Sequence, residues 1–249
     1  MEEIRKHFHD QLGELRTDIV RAAAMTTELI AASTRALLDK DLSVIDRVIT
    51  DDRAIDELDL SIEGRAHLLI ARQQPTAGDL RLLLAVLRML HEIELTSDLT
   101  VSICKAARRL YNAELTPRIR GILEAMGTQA GDQMRTAIDA FVDEDVNLAD
   151  ALSDMDDVMD DAQKDLFRAI FDAGATDEAS LQRAVEMALV GRYYERIADH
   201  AVQIGRWVRF MITGTLPEPK EHELAPLPGT GDGDGDGDGD GDQRTSDAR

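Results

Sequence analysis

The chain has 249 residues, a formal net charge of −21 and a single cysteine, Cys104. That length can bury a sizeable core. The acidic balance argues against nucleic acid as a partner, and against an anionic membrane surface unless a cation intervenes. No intramolecular disulfide can form. No apolar signal core follows Met-Glu-Glu-Ile-Arg-Lys, and no apolar run is long enough to span a bilayer, so the expectation is a cytoplasmic location. With 43 % hydrophobic residues but only 4 % aromatics, the core must be built from Ala, Leu, Ile, Val and Met, a composition that suits helices.

Six helices are predicted in chain order, with no period-2 stretch to suggest a strand. Residues 2–39 carry apolar side chains at helical spacing: Ile4, Phe8, Leu12, Leu15, Ile19, Ala22, Leu29 and Leu37. Asp41 caps a second helix running to about Arg72, where Pro75 breaks it. Thr76 with Asp79 resembles a capping box opening a third helix, to about Asn112. Thr116 followed by Pro117 starts a fourth, to about Val142. Asp145 caps a fifth that stops at Gly174. Thr176 or Asp177 starts a sixth that ends at Gly214, with Pro217 behind it.

The six helices divide into two related sets. At an offset of 104, Asp41 matches Asp145, Asp46 matches Asp150, Asp52 matches Asp156 and Asp56 matches Asp160. After the loop near Pro75 the offset falls to 101, where Glu94 matches Glu195 and Asp98 matches Asp199. This is the pattern of a duplicated three-helix module. The expected fold is all-α: two three-helix bundles in line, residues 1–113 and 114–214, each burying its apolar stripes internally. Residues 215–249, rich in Pro, Gly and Asp, are expected to form a disordered acidic tail. From Gly229 onward the tail holds seven Asp and two Arg, a charge of −5, so −16 remains on the preceding residues.

Four acidic pairs repeat an i,i+4 spacing: Asp52/Asp56, Glu94/Asp98, Asp156/Asp160 and Glu195/Asp199. The bland reading of such a pair is a solvated helix face. Like charges at this spacing oppose the helix by about 0.2–0.5 kcal/mol per pair, yet the chain repeats the arrangement. Glu94/Asp98 and Glu195/Asp199 also continue apolar stripes, where carboxylates need compensation from Arg or a cation. Oxygen donors suit Mg²⁺, Mn²⁺, Ca²⁺ or iron, and His200 beside Asp199 adds a nitrogen that favours a transition metal. Arg88, Arg192 and Arg196 are the competing partners. A di-iron carboxylate enzyme is disfavoured, since none of the six His has a Glu three positions before it. A histidine phosphorelay is disfavoured because His91-Glu92-Ile93 lacks the downstream Pro and any Gly-rich nucleotide site. A metal-free helical adaptor shares the fold and stays open.

Three elements together give the chain a family likeness. They are Pro75-Thr76-Ala77-Gly78-Asp79-Leu80-Arg81, Arg192-Tyr193-Tyr194-Glu195-Arg196-Ile197-Ala198-Asp199-His200-Ala201, and the duplicated acidic pairs. On these the chain resembles the PhoU family of phosphate-signalling proteins over residues 1–214. The resemblance implies a cytoplasmic, non-enzymatic accessory protein of phosphate uptake. It would act between the ATPase of a phosphate ABC transporter and a sensor histidine kinase, restraining uptake and starvation signalling when phosphate is plentiful. It also implies metal ions (Mg, Mn, Fe or Zn) on Asp52, Asp56, Glu94, Asp98, Asp156, Asp160, Glu195 and Asp199. Arg81, Arg192, Arg196 and His200 are candidate partner or ion-pair residues, and a homodimer is expected. In the first repeat Leu95-Thr96-Ser97 departs from the family's Arg-Ile-Gly pattern, which suggests that the two sites differ in affinity.

Overall fold

Four side-chain caps set where the helices begin. In the structure, a computed structural model, residues 2–216 are described. The Gly-Asp run and the rest of the predicted tail from residue 217 lie outside the described residues. The elements are α1 (Glu2–Asp39), α2 (Leu42–Gln73), α3 (Ala77–Arg109), α4 (Pro117–Asp143), α5 (Val146–Ala173) and α6 (Glu178–Thr213). No strand occurs among the described residues. Asp41, Thr116 and Asp145 accept backbone N–H bonds from the first turns of α2, α4 and α5, satisfying donors that a helix leaves orphaned. Asp177 does so for α6 in a reciprocal capping box with Ser180. Gly214 ends α6 at φ +78, a left-handed conformation that glycine adopts without strain.

Two boundary details differ from expectation. Thr76 precedes α3 but makes no side-chain cap, so the Thr76/Asp79 capping box does not form. The third helix stops at Arg109 rather than near Asn112. The chain turns there, with Ala113 N donating to Leu110 O at 2.8 Å, which folds Leu110 and Ala113 into the core.

Each repeat is a three-helix unit: α1, α2 and α3 pack on one another, as do α4, α5 and α6. The units lie side by side, not in line. α1 runs antiparallel to α4, and α3 runs antiparallel to α6. Arg16 and Arg120, equivalent under the duplication, form ion pairs at the two ends of the α1/α4 contact: Arg16 with Glu144, and Arg120 with Asp39 at 3.0 Å. The α3/α6 contact is tied along its length. Arg81 Nε donates to Met211 O at 3.1 Å, His200 meets Glu92 in the middle, and Arg109 pairs with Glu186 at 2.6 Å.

The in-line expectation failed because it gave each apolar stripe one neighbouring surface. The stripes of α1, α3, α4 and α6 are wide enough to face two. Ile19, Ile30, Leu83, Met89, Ile93, Met126, Met134, Val190, Ile197 and Ile204 are all buried and form one continuous core. Each fully buried aliphatic side chain contributes roughly 1.5–3 kcal/mol. α2 and α5 remain on the outside, touching only their own unit.

Glycines set the closest approaches. A Cβ at Gly127 would collide with Thr34 Oγ1, and one at Gly205 would fall 2.9 Å from the Ala149 carbonyl oxygen. Beneath Gly127, the fully buried Tyr194 hydroxyl meets Thr34 Oγ1 at 2.8 Å, linking α6 to α1.

Candidate metal centre

The acidic pairs line two seams, one between each outer helix and its partner in the shared core. In the first, α2 brings Asp52 and Asp56 beside Glu94 and Asp98 of α3. In the second, α5 brings Asp156 and Asp160 beside Glu195 and Asp199 of α6. All eight predicted carboxylates therefore fall into two groups of four. None lies deep in the core: Asp56, Asp98 and Asp160 are exposed, and the other five are half-buried.

The electrostatics of the first seam are repulsive. Burial, followed by the charges of Asp56 and Asp98, raises the Asp52 carboxyl above its ordinary range, opposed mainly by a hydrogen bond from Ser97. Asp59, which sequence reasoning did not single out, is pushed up to about 6. Burial is the largest cause, and Glu94, Glu63 and Asp56 add to it. His91 works the other way, and its Nδ1 lies 3.5 Å from Glu94 Oε2. Asp59 follows Asp56 by three residues and precedes Glu63 by four, so it too belongs to an i,i+4 acidic pair, one that the second repeat does not reproduce.

The second seam repeats the geometry with different chemistry. Burial raises Glu195, and Asp199, Asp160 and Asp156 add repulsion against the pull of Arg192. Arg192 pairs with Glu195 Oε1, while Glu195 Oε2 is buried without a hydrogen-bond partner. By the duplication, Arg192 occupies the position of His91, and Gln163 that of Asp59. Ala198 stands where the first repeat has Ser97. The Leu-Thr-Ser departure thus gives Asp52 a hydroxyl donor from a position that in the second repeat carries none.

Among the other candidates, Arg81 is structural, tying the start of α3 to the end of α6. Arg196 is exposed. His200, although next to Asp199, does not join the second seam. It is 8 % exposed and faces α3, with Nδ1 2.6 Å from Glu92 Oε2. Its expected contribution of a nitrogen ligand beside Asp199 is not what the fold gives it; a helix turns 100° per residue, so neighbours face different partners.

Among the described residues, no group of three or more His, Cys, Asp or Glu side chains is arranged to hold an ion as it stands. The donor chemistry nevertheless fits a hard cation. Clustered carboxylates held above their ordinary range, and an orphaned buried oxygen on Glu195, are what a positive charge would relieve. No described helix is long and apolar enough to cross a membrane.

Comparison with known proteins covers both repeats. The PhoU domain model matches residues 19–107 and 123–208. The chain is 32 % identical over 216 residues to the phosphate-specific transport system accessory protein PhoU homolog 1 of Mycobacterium leprae, covering 86 % of this chain and 96 % of that protein. It is equally 32 % identical over 215 residues to PhoU homolog 2 of Mycobacterium tuberculosis, covering 86 % of this chain and all of the relative. The fold matches the crystal structure of PhoU from Pseudomonas aeruginosa with a TM-score of 0.79 at 25 % identity, over 84 % of this chain and all of that one. The chain therefore belongs to the PhoU family, and the duplicated acidic seams sit on the fold that defines it.

Proposed function

We propose that this chain is a cytoplasmic regulator of phosphate homeostasis. It links the ATPase of a phosphate ABC transporter to a sensor histidine kinase, and it restrains uptake and starvation signalling when phosphate is plentiful. The observation that carries this reading is the family match across both repeats, with relatives named as accessory proteins of the phosphate-specific transport system. The protein acts by binding as a homodimer, without catalysing a reaction, and reaches the membrane only through its partners.

In this reading the two carboxylate seams hold divalent or transition cations. Asp52, Asp56, Asp59, Glu94 and Asp98 serve one, and Asp156, Asp160, Glu195 and Asp199 the other. A bound cation supplies positive charge that offsets the repulsion between these carboxylates. The carboxylates themselves bridge α2 to α3 and α5 to α6, so occupancy sets how firmly each outer helix is held. The Arg192–Glu195 pair favours a second reading, in which side-chain cations alone balance the second seam. Elemental analysis of gently purified protein separates the two readings.

Alkaline phosphatase activity in phosphate-rich medium tests the function. A strain lacking the gene should show high activity, and wild type should silence it. Glu195→Ala/Asp199→Ala, if folded, should fail to do so. Low activity in the deletion strain, persisting after removal of any second copy, would remove the regulatory reading and leave the fold assignment standing.

A further inference from the structure

An apolar face lies beside the second acidic seam, and no described helix covers it. Phe171 is 84 % exposed, Leu181 56 % and Val185 51 %, with Phe167 and Leu189 also open to solvent. All five belong to one surface. Phe167 and Phe171 follow Asp156 and Asp160 by eleven residues, three helical turns, and so share the seam side of α5. On α6, Leu181 precedes Asp199 by eighteen residues, five turns, and Val185 precedes Arg192 by seven, two turns. Leu166 packs over Gly191 and Leu152 over Gly205, a register that sets Phe171 beside Val185 and Phe167 beside Leu189.

The duplication shows that the fold does not require this face. The positions of Phe167 and Phe171 hold Glu63 and His67 in the first repeat, and that of Leu189 holds Arg88. Single exposed apolar side chains need no explanation, but large ones gathered on one surface mark a site of interaction.

The neighbouring charge selects the occupant. α5 carries eight Asp against Lys164 and Arg168. Along the seam and the outer side of α5, Asp156, Asp157, Asp160, Asp161, Glu195 and Asp199 stand against Lys164, Arg192 and Arg196, an excess of three negative charges. A second copy docked through the same face would set two such helices against each other. An anionic lipid surface would meet the same repulsion, and the Asp-rich sequence beyond residue 216 has the wrong sign. A protein segment carrying Lys and Arg has the right one. The face runs along two helices and offers no strand edge, so the segment that fits is a helix with apolar side chains at spacings of three and four. From Leu181 to Asp199 the face is about 27 Å long, the length of about eighteen helical residues.

We propose that this face docks a basic amphipathic helix of a partner protein. Its apolar side chains rest on Phe167, Phe171, Leu181 and Val185, and its Lys or Arg side chains lie along the acids of the second seam. The proposal needs neither the family reading nor a cation in the seam, and direct binding tests it apart from both.

The test is fluorescence anisotropy of a labelled Leu/Lys amphipathic helix of about eighteen residues, titrated with the full chain in EDTA at physiological ionic strength. Binding should be saturable with one site, and a Leu/Glu helix of the same pattern should bind at least about tenfold more weakly. Phe171→Ser and Val185→Ser should each weaken binding about fivefold or more. Val158→Ser should change nothing: Val158 is 57 % exposed, but nine residues before Phe167 it lies on the opposite side of α5. Phe171 is nearly free of the core, so its variant should keep the wild-type melting temperature, which separates lost binding from lost folding. Absence of saturable binding, equal binding of the Leu/Glu helix, or equal losses in Phe171→Ser and Val158→Ser would each overturn the proposal. Self-association on sedimentation that Phe171→Ser/Val185→Ser abolishes would give the face to a second copy instead. Co-sedimentation with phosphatidylserine vesicles that the same variant abolishes would give it to a membrane, and either result would also overturn the proposal.

Discussion

Replacing Asp59 by Asn should stabilise the metal-free protein. Asp59 sits in the first seam among Glu94, Glu63 and Asp56, and its carboxyl is pushed up to about 6 from an ordinary 3.8. A carboxyl whose folded value lies above its unfolded value holds its proton more tightly when folded. Stability therefore rises as pH falls through about 6, and the gain is complete below about 3.8. At pH 7.5 both states are ionised and the folded state bears the full penalty. Taken at face value the difference corresponds to about 3 kcal/mol. The seam is open to solvent, so screening reduces this to about 1 kcal/mol. Asn removes the charge and retains the shape. In EDTA at pH 7.5, Asp59→Asn should raise the melting temperature by about 3 °C, and by less than half of that at pH 4. Addition of Mn²⁺ should stabilise the wild type more than the variant, because the same charge that repels its neighbours attracts the ion. A lower melting temperature for Asp59→Asn at pH 7.5, or a difference that does not change with pH, would refute the account of the seam as a cluster of mutually repelling carboxylates.

Further outcomes follow from packing. Gly191→Ala and Gly205→Ala make the same change in one helix, each gaining about 1 kcal/mol in helix propensity. At Gly191 the new methyl meets the free end of Leu166, which can swing aside, so the net effect should lie within about 1 kcal/mol of zero. At Gly205 it meets the Ala149 carbonyl oxygen, which cannot, and a net loss of about 1–2 kcal/mol is expected; equal urea midpoints for the two variants would contradict this. His200→Ala leaves the Glu92 carboxyl without its partner between α3 and α6 and should cost about 2 kcal/mol, read from chemical denaturation.

Most of the fold was legible because its signals are local. Asp41, Thr116-Pro117, Asp145 and Asp177 announce helix starts through chemistry confined to one turn, and all four act as read. Thr76 did not, because cap geometry depends on how the chain leaves Pro75, which spacing does not encode. The carboxylate pairs were visible through the duplication, and the seams bring them together in fours. Asp59 was passed over because the duplication does not repeat it, Gln163 standing at its equivalent, and His91 was weighed only as a phosphorelay residue. The side-by-side arrangement was out of reach. It depends on the register of α1 against α4, and neither helix states that register in its own sequence.

The antiparallel contacts α1/α4 and α3/α6 have the form of an isologous interface, in which equivalent surfaces meet about a pseudo-twofold axis. The molecule is in effect a homodimer fused into one chain. In a true homodimer every substitution appears twice, and the two seams would be obliged to stay identical. Fusion lifts that obligation, and the two halves have diverged accordingly: Asp59 faces Gln163 across the duplication, and His91 faces Arg192. One chain can thus carry two carboxylate seams of different charge on a common frame, a distinction that symmetry would forbid to two identical subunits.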